Sequence, residues 1–167
     1  MKIDNPIAYP YFIGNEVYIL ASEKEALKNN VSEISEGSEA VISFNYQGNN
    51  KKNFLVITNY PDQDFIAPNH TTALENTLKR LGFEMDDLAI LNSANYPKIV
   101  FNELLKFFNP TRILILGNSA MPEIETAIPF NKCFRYQNIH ILLTFSFNEM
   151  MDNTDDKKLF WEQMKQL

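Results

Sequence analysis

Cysteine is nearly absent from this 167-residue sequence. Cys133 stands alone, which excludes an internal disulfide and any cysteine-rich zinc or iron–sulfur centre. Histidine occurs only at His70 and His140. No apolar run is long enough to span a bilayer, and the opening residues lack the basic stretch and apolar run of an export signal. The expectation is a cytosolic protein with no membrane partner. An excess of basic charge is also missing: 15 Lys and Arg face 21 Asp and Glu, for a net charge of −6. Proteins that grip nucleic acid by its phosphates normally carry a basic face, because counterion release supplies most of that affinity. Weak or no direct binding of duplex DNA follows. Lys51-Lys52, Lys79-Arg80 and Lys157-Lys158 are scattered along the chain and read as solvated surface charge.

Apolar residues are plentiful, at 45%, and thirteen Phe with seven Tyr raise the aromatic share to 13%. That is enough to bury a core without disulfides or metals in one domain over residues 1–167. No repeat, low-complexity tract or linker interrupts it. Residues 1–52 are rich in β signals. Ala8 to Ile13 and Glu16 to Ala21 flank Gly14-Asn15, a two-residue hairpin signal, and Ala40 to Tyr46 and Asn53 to Thr58 flank Gly48-Asn49-Asn50, which reads as a second hairpin with a longer turn.

From Asn53 onward, strands alternate with helices. Phe54 to Thr58, Leu88 to Leu91, Arg112 to Leu116 and Ile139 to Thr144 read as strands. The Arg112 to Leu116 run shows no polar alternation and reads as a strand buried on both faces, hence part of a parallel sheet. The first helix takes Asn69 as its cap, buries Leu74, Leu78 and Leu81, and ends at Gly82. A second spans Tyr96 to Phe108 with Val100, Leu104 and Phe107 inward, and a short one lies around Met121 to Ala127. The last starts near Thr154-Asp155-Asp156 and buries Phe160, Met164 and Leu167. The fold class is α/β: a three-layer sandwich around a mainly parallel sheet, with a β-rich N-terminal extension (1–52) on an α/β core (53–167). Ligands of such sheets bind outside the carboxyl ends of the strands, which draws attention to Asn59, Asn92 and the turn Gly117, Asn118 and Ser119.

The order of these motifs carries a resemblance. Leu55-Val56-Ile57 with Pro61 and Phe65, Leu81-Gly82-Phe83 before Asp86-Asp87, a strand ending in Asn92, the run Asn109 to Ala120, and the strand Ile139 to Thr144 followed by Asp156 to Trp161 resemble the uracil-DNA glycosylase superfamily over roughly residues 53 to 167. The resemblance implies that Asp62 or Asp64 positions an attacking water, that Phe65 stacks on a flipped base, and that Asn92 reads its edge. It also exposes departures. Asn59-Tyr60-Pro61 replaces the Gly-rich turn of that family. After the last strand, Phe145-Ser146-Phe147-Asn148 stands where active members place a His that stabilises the departing base. Phe cannot donate a hydrogen bond, and loss of one preorganised donor costs about a hundred- to a thousandfold in rate. Neither His70 nor His140 takes that place, and no cofactor or metal is implied.

Asn153 to Leu167, with Leu159-Phe160-Trp161, is also similar to the end of psi proteins, non-catalytic adaptors of the bacterial DNA polymerase III clamp loader. The reading is therefore a non-catalytic adaptor of DNA replication or repair, with a protein partner such as a clamp-loader component. Two alternatives stand beside it. One is a divergent uracil or mismatch glycosylase, relying on Asp62 or Asp64 with Asn92. The other is a base- or nucleotide-binding protein using Asn59, Phe65, Asn92, Gly117, Asn118, Ser119 and Phe145.

Overall fold

The computed structural model describes residues 43–167, Glu125 excepted. Five strands form one sheet: β1 (Phe54–Thr58), β2 (Leu88–Asn92), β3 (Arg112–Leu116), β4 (Phe134–Tyr136) and β5 (Ile139–Thr144). The order is β2–β1–β3–β5–β4, parallel except for the antiparallel β4–β5 pair at one edge. Among the described residues the α-helices are α1 (Pro68–Arg80), α2 (Phe101–Phe108), α3 (Phe147–Met150) and α4 (Thr154–Met164).

The uninterrupted apolar runs produce this arrangement. Every residue of β1 and β2 is buried, as are the last four of β3. Alternate side chains go to opposite faces, as the pleat requires. Leu55, Ile57, Ile113 and Ile115 pack with Phe101, Leu104 and Phe108 of α2 and with Met121, Ile124 and Ile128. Phe54, Val56, Leu114 and Leu116 pack with Leu74 and Leu78 of α1, Met150 of α3, and Phe160 and Met164 of α4. The sheet is thus the middle of three layers, and among the described residues no helix is long and apolar enough to cross a membrane.

Several local expectations are corrected. The hairpin between Ala40 to Tyr46 and β1 is not formed by its described part: Gln47 makes an antiparallel bridge to Ile90 of β2 instead. Both edges of β1 are already filled by β2 and β3, so this segment can only join the outer edge of β2. Gly48 makes the approach feasible, because a Cβ there would lie 2.2 Å from the Leu88 carbonyl oxygen. The first expected hairpin, Ala8 to Ala21, lies outside the described residues.

Helix α1 starts two residues earlier than expected, with Pro68 in its first turn and Ala67 rather than Asn69 as N-cap. A proline there loses no hydrogen bond, since the first N–H groups of a helix have no intrahelical partner. Leu81 is the C-cap and only half-buried. Helix α2 begins at Phe101, and Asn109 ends it in the left-handed region, at φ +44°. Its buried stripe is Phe101, Leu104 and Phe108. Val100 and Phe107 are 39% and 41% exposed. Both stripes have helical spacing, so periodicity did not separate them. Among the described residues of Met121 to Ala127, a 3-10 turn at Pro122–Ile124 takes the place of the expected helix. Leu167 is half-buried, whereas Phe160 and Met164 are buried.

Candidate functional site

The parallel strands end together, and the loops that follow form a rim at their carboxyl ends. Connections from β1 and β3 leave toward opposite faces: α1 packs on one, Met121 and Ile124 on the other. The chain direction therefore switches between β1 and β3, the place where open α/β sheets hold ligands. Asn59 spans this point. Its amide nitrogen donates to the Ser119 carbonyl at 3.1 Å and to the Ser93 hydroxyl at 3.3 Å, tying together the loops after β1, β3 and β2. Ser93 in turn donates to the Thr58 carbonyl at 2.9 Å.

Asn92 is fully buried at the end of β2. Its oxygen accepts from the backbone N–H of Tyr60 at 2.9 Å and of Ala94 at 3.2 Å. Its nitrogen donates to the carbonyls of Tyr60 at 2.8 Å and Gln63 at 2.7 Å. Both lone pairs and both protons of the amide are spent inside the protein, and what they hold is the Tyr60 to Gln63 turn. Asp62 and Asp64 lie exposed on and beside that turn. The Asp64 carbonyl accepts from the Asn95 side chain at 2.9 Å. Phe65 is half-buried, packed against the apolar cluster on the α1 face, and lines a groove of about 390 Å³ with Gln63, Pro68 and Gln47.

The other half of the rim lies over β3 and β5. Gly117 adopts φ +90°, and an added Cβ would stand 3.0 Å from the Ser146 Cβ. Its N–H donates to the Thr144 carbonyl at 2.8 Å. Asn118 and Ser119 are exposed in the 3-10 turn that follows. Phe145 is half-buried, with its ring edge-on to Phe130 at 5.0 Å between centroids. Phe65, whose carbonyl accepts from the Thr58 hydroxyl at the end of β1, and Phe145, directly after β5, follow the two strands that flank β3.

Residues that the sequence reading missed hold this end of the molecule together. Ser146 caps α3: its hydroxyl accepts from the Glu149 N–H, while the Glu149 carboxylate accepts from the Ser146 N–H at 2.7 Å. The Ser-x-x-Glu spacing was a readable signal for that helix. Thr144 donates to the Asn131 side chain at 2.9 Å, which anchors the strap bearing Phe130. Beneath the rim, the Tyr60 hydroxyl and His70 Nδ1 share a hydrogen bond of 2.8 Å, and the imidazole stacks on Phe147 at 5.6 Å. Burial pushes the Tyr60 phenol up to about 12 and the His70 imidazole below its ordinary 6.5, so both are neutral near pH 7. No sequence signal marked that pair. His140 lies in β5, in register with Arg112 and Arg135.

Among the described residues, no group of three or more His, Cys, Asp or Glu converges as a metal site. The rim's polar side chains mostly fasten loops to one another, and it exposes the Asp62 and Asp64 carboxylates with the Asn118 and Ser119 side chains, beside two half-buried aromatic rings. No protein-family model matches this chain, and no curated protein is similar to it.

Proposed function

We propose that this chain is a non-catalytic adaptor, on a scaffold of the uracil-DNA glycosylase type, that holds a protein partner of the replication or repair machinery, as psi proteins do in the clamp loader. The observation that carries this reading is Phe145. It directly follows β5, where the resemblance calls for a hydrogen-bond donor, and its ring is packed against Phe130 rather than turned aside for a substitute. The full engagement of Asn92 supports the same reading, since an amide that clamps its own loop has nothing left for a base edge. The outer face of α2 offers a surface for a partner. Phe107 lies 5.2 Å from Phe44 and 4.8 Å from Phe108 between ring centroids, yet is 41% exposed beside Val100. Exposed aromatics of this kind are enriched at protein interfaces.

The test has two arms. Uracil-containing single- and double-stranded DNA is incubated with the native protein and with Phe145→His, then cleaved with alkali. The native protein is expected to release no uracil above background. Release well above it would defeat the adaptor reading and make Asp62 or Asp64 the suspect base. In the second arm, clamp-loader and other replication proteins are expected to be recovered with the native protein and lost with Phe107→Glu.

A second reading, base or nucleotide binding, is favoured by the exposed Asn118 and Ser119 beside the Phe130–Phe145 pair. Calorimetry with free bases and nucleotides checks it.

A further inference from the structure

Two of the three basic dipeptides, far apart in sequence, converge in space. Ala73, Thr77 and Arg80 form a stripe along α1, and Lys157, Phe160 and Trp161 form a stripe along α4. The stripes face each other across a cleft of about 200 Å³, closed at one end by Phe147, Met150 and Met151. Apart from the Thr77 hydroxyl, which donates to the Ala73 carbonyl, the floor is apolar.

Cations stand at its mouth. The Arg80 guanidinium lies 5.7 Å from the centre of the Trp161 ring. Lys157 is four residues before Trp161, one helical turn or about 6 Å along α4, and its ammonium donates to the Met151 carbonyl. Neither cation has a carboxylate partner among the described residues, and the lining of the cleft contains no Asp or Glu. In a chain with more acidic than basic residues, the mouth of this apolar cleft is a local basic spot.

The size of the cleft limits what it can hold. A cavity of about 150 Å³ admits a benzene ring, so this one suits a single large side chain and leaves the groups on either side of it at the mouth. Two methionines in the wall can adjust to ring or branched-chain shapes.

We propose that this cleft between α1 and α4 binds an acidic peptide segment of a partner protein, taking one large apolar side chain between Met150, Met151 and Trp161 and setting flanking carboxylates on Arg80 and Lys157. The proposal names a partner chemistry for the adaptor and rests on that reading for its biological sense. It uses the face of the sheet opposite α2, however, so its test stands apart from the capture experiment.

Trp161 is the only tryptophan in the chain and reports from inside the cleft. The blocked peptide Asp-Asp-Phe-Asp-Asp is titrated into the full chain while Trp161 emission is followed, with Lys-Lys-Phe-Lys-Lys, Asp-Asp-Ala-Asp-Asp and N-acetylphenylalanine as comparisons. Saturable binding of the acidic Phe peptide alone, weakened by added salt, is expected. An exposed ion pair is worth up to about fivefold, and reversing one charge adds repulsion, so Arg80→Glu should weaken binding about tenfold or more. Arg80 is exposed, and an unchanged melting temperature would show the variant folded; Lys157→Glu provides an independent second variant. No saturable signal up to millimolar peptide would overturn the proposal. So would equal binding of the basic or Ala peptide, or undiminished affinity in both folded variants. N-acetylphenylalanine binding as tightly as the peptide would overturn the peptide as occupant. Capture of replication proteins through Phe107 decides the adaptor reading whichever way this titration falls.

Discussion

Replacing Asn92 by alanine separates a loop clamp from a base reader. The side chain is fully buried and makes four hydrogen bonds, of which those to the Tyr60 N–H and carbonyl are themselves buried. A net hydrogen bond contributes about 1 kcal/mol, and a buried group left without a partner costs about 1–3 kcal/mol. The buried Tyr60 N–H would be stranded, whereas the Tyr60 carbonyl still accepts from the Gln63 N–H at 3.2 Å, and the Gln63 carbonyl and Ala94 N–H lie where water can reach them in part. The expected loss is about 3–5 kcal/mol, a large share of the stability of an ordinary domain. Urea unfolding followed by Trp161 emission measures it. Asn92→Asp sharpens the test without changing volume. It keeps the two acceptor bonds but turns an oxygen toward the carbonyls of Tyr60 and Gln63, so the buried carboxyl prefers its protonated form. Its folded pKa is then raised, and the variant is expected to be less destabilised at pH 4 than at pH 7. A loss below 1 kcal/mol for Asn92→Ala, with the Tyr60 to Gln63 turn unchanged, would refute the clamp and return Asn92 to the pool of ligand-binding groups.

Leu114→Ala, at the centre of β3 with no exposed surface, should cost about 2–5 kcal/mol by the same assay, and a change under 1 kcal/mol would contradict its central place. Gly117→Ala combines a left-handed φ with a Cβ 3.0 Å from Ser146, and about 1–3 kcal/mol of destabilisation is expected in calorimetric melting. Hydrogen bonds from Lys51 to Asp86 and from Lys52 to Asp87 hold both carboxyls below their ordinary 3.8. Their contribution is present above about pH 4 and lost as pH falls through the lower folded values, so Asp86→Asn should flatten the acid limb of the stability profile. For His70, whose folded pKa lies below 6.5, the unfolded chain takes the proton first. Stability should therefore begin to fall as pH drops below about 6.5, and His70→Gln should remove that slope.

The four long strands were legible because each is a run of apolar residues bounded by turn formers, and burial on both faces leaves no other use for such a run. Their common carboxyl rim followed from strand–helix alternation alone. The rotation of α2 did not. Val100-Leu104-Phe107 and Phe101-Leu104-Phe108 are equally good helical stripes, and only packing against β1 and β3 selects the second. The same limit applies to Gln47, whose pairing with β2 depends on which sheet edge is open.

Candidate site residues divide along the same line. That Asn59, Asn92, Gly117 and Phe145 follow strands is a property of the sequence, because each directly follows or closes an apolar run. That the amide of Asn92 is consumed by the Tyr60 to Gln63 turn, or that Arg80 and Lys157 share one cleft, depends on which loops and helices the fold brings together. Local runs and turns are set by neighbouring residues, so the sequence alone determined the strands and the end of the sheet where the site lies. Hydrogen-bond partners and cleft walls come from segments distant along the chain, so only the tertiary structure decided which side chains are spent holding the protein together and which still face outward.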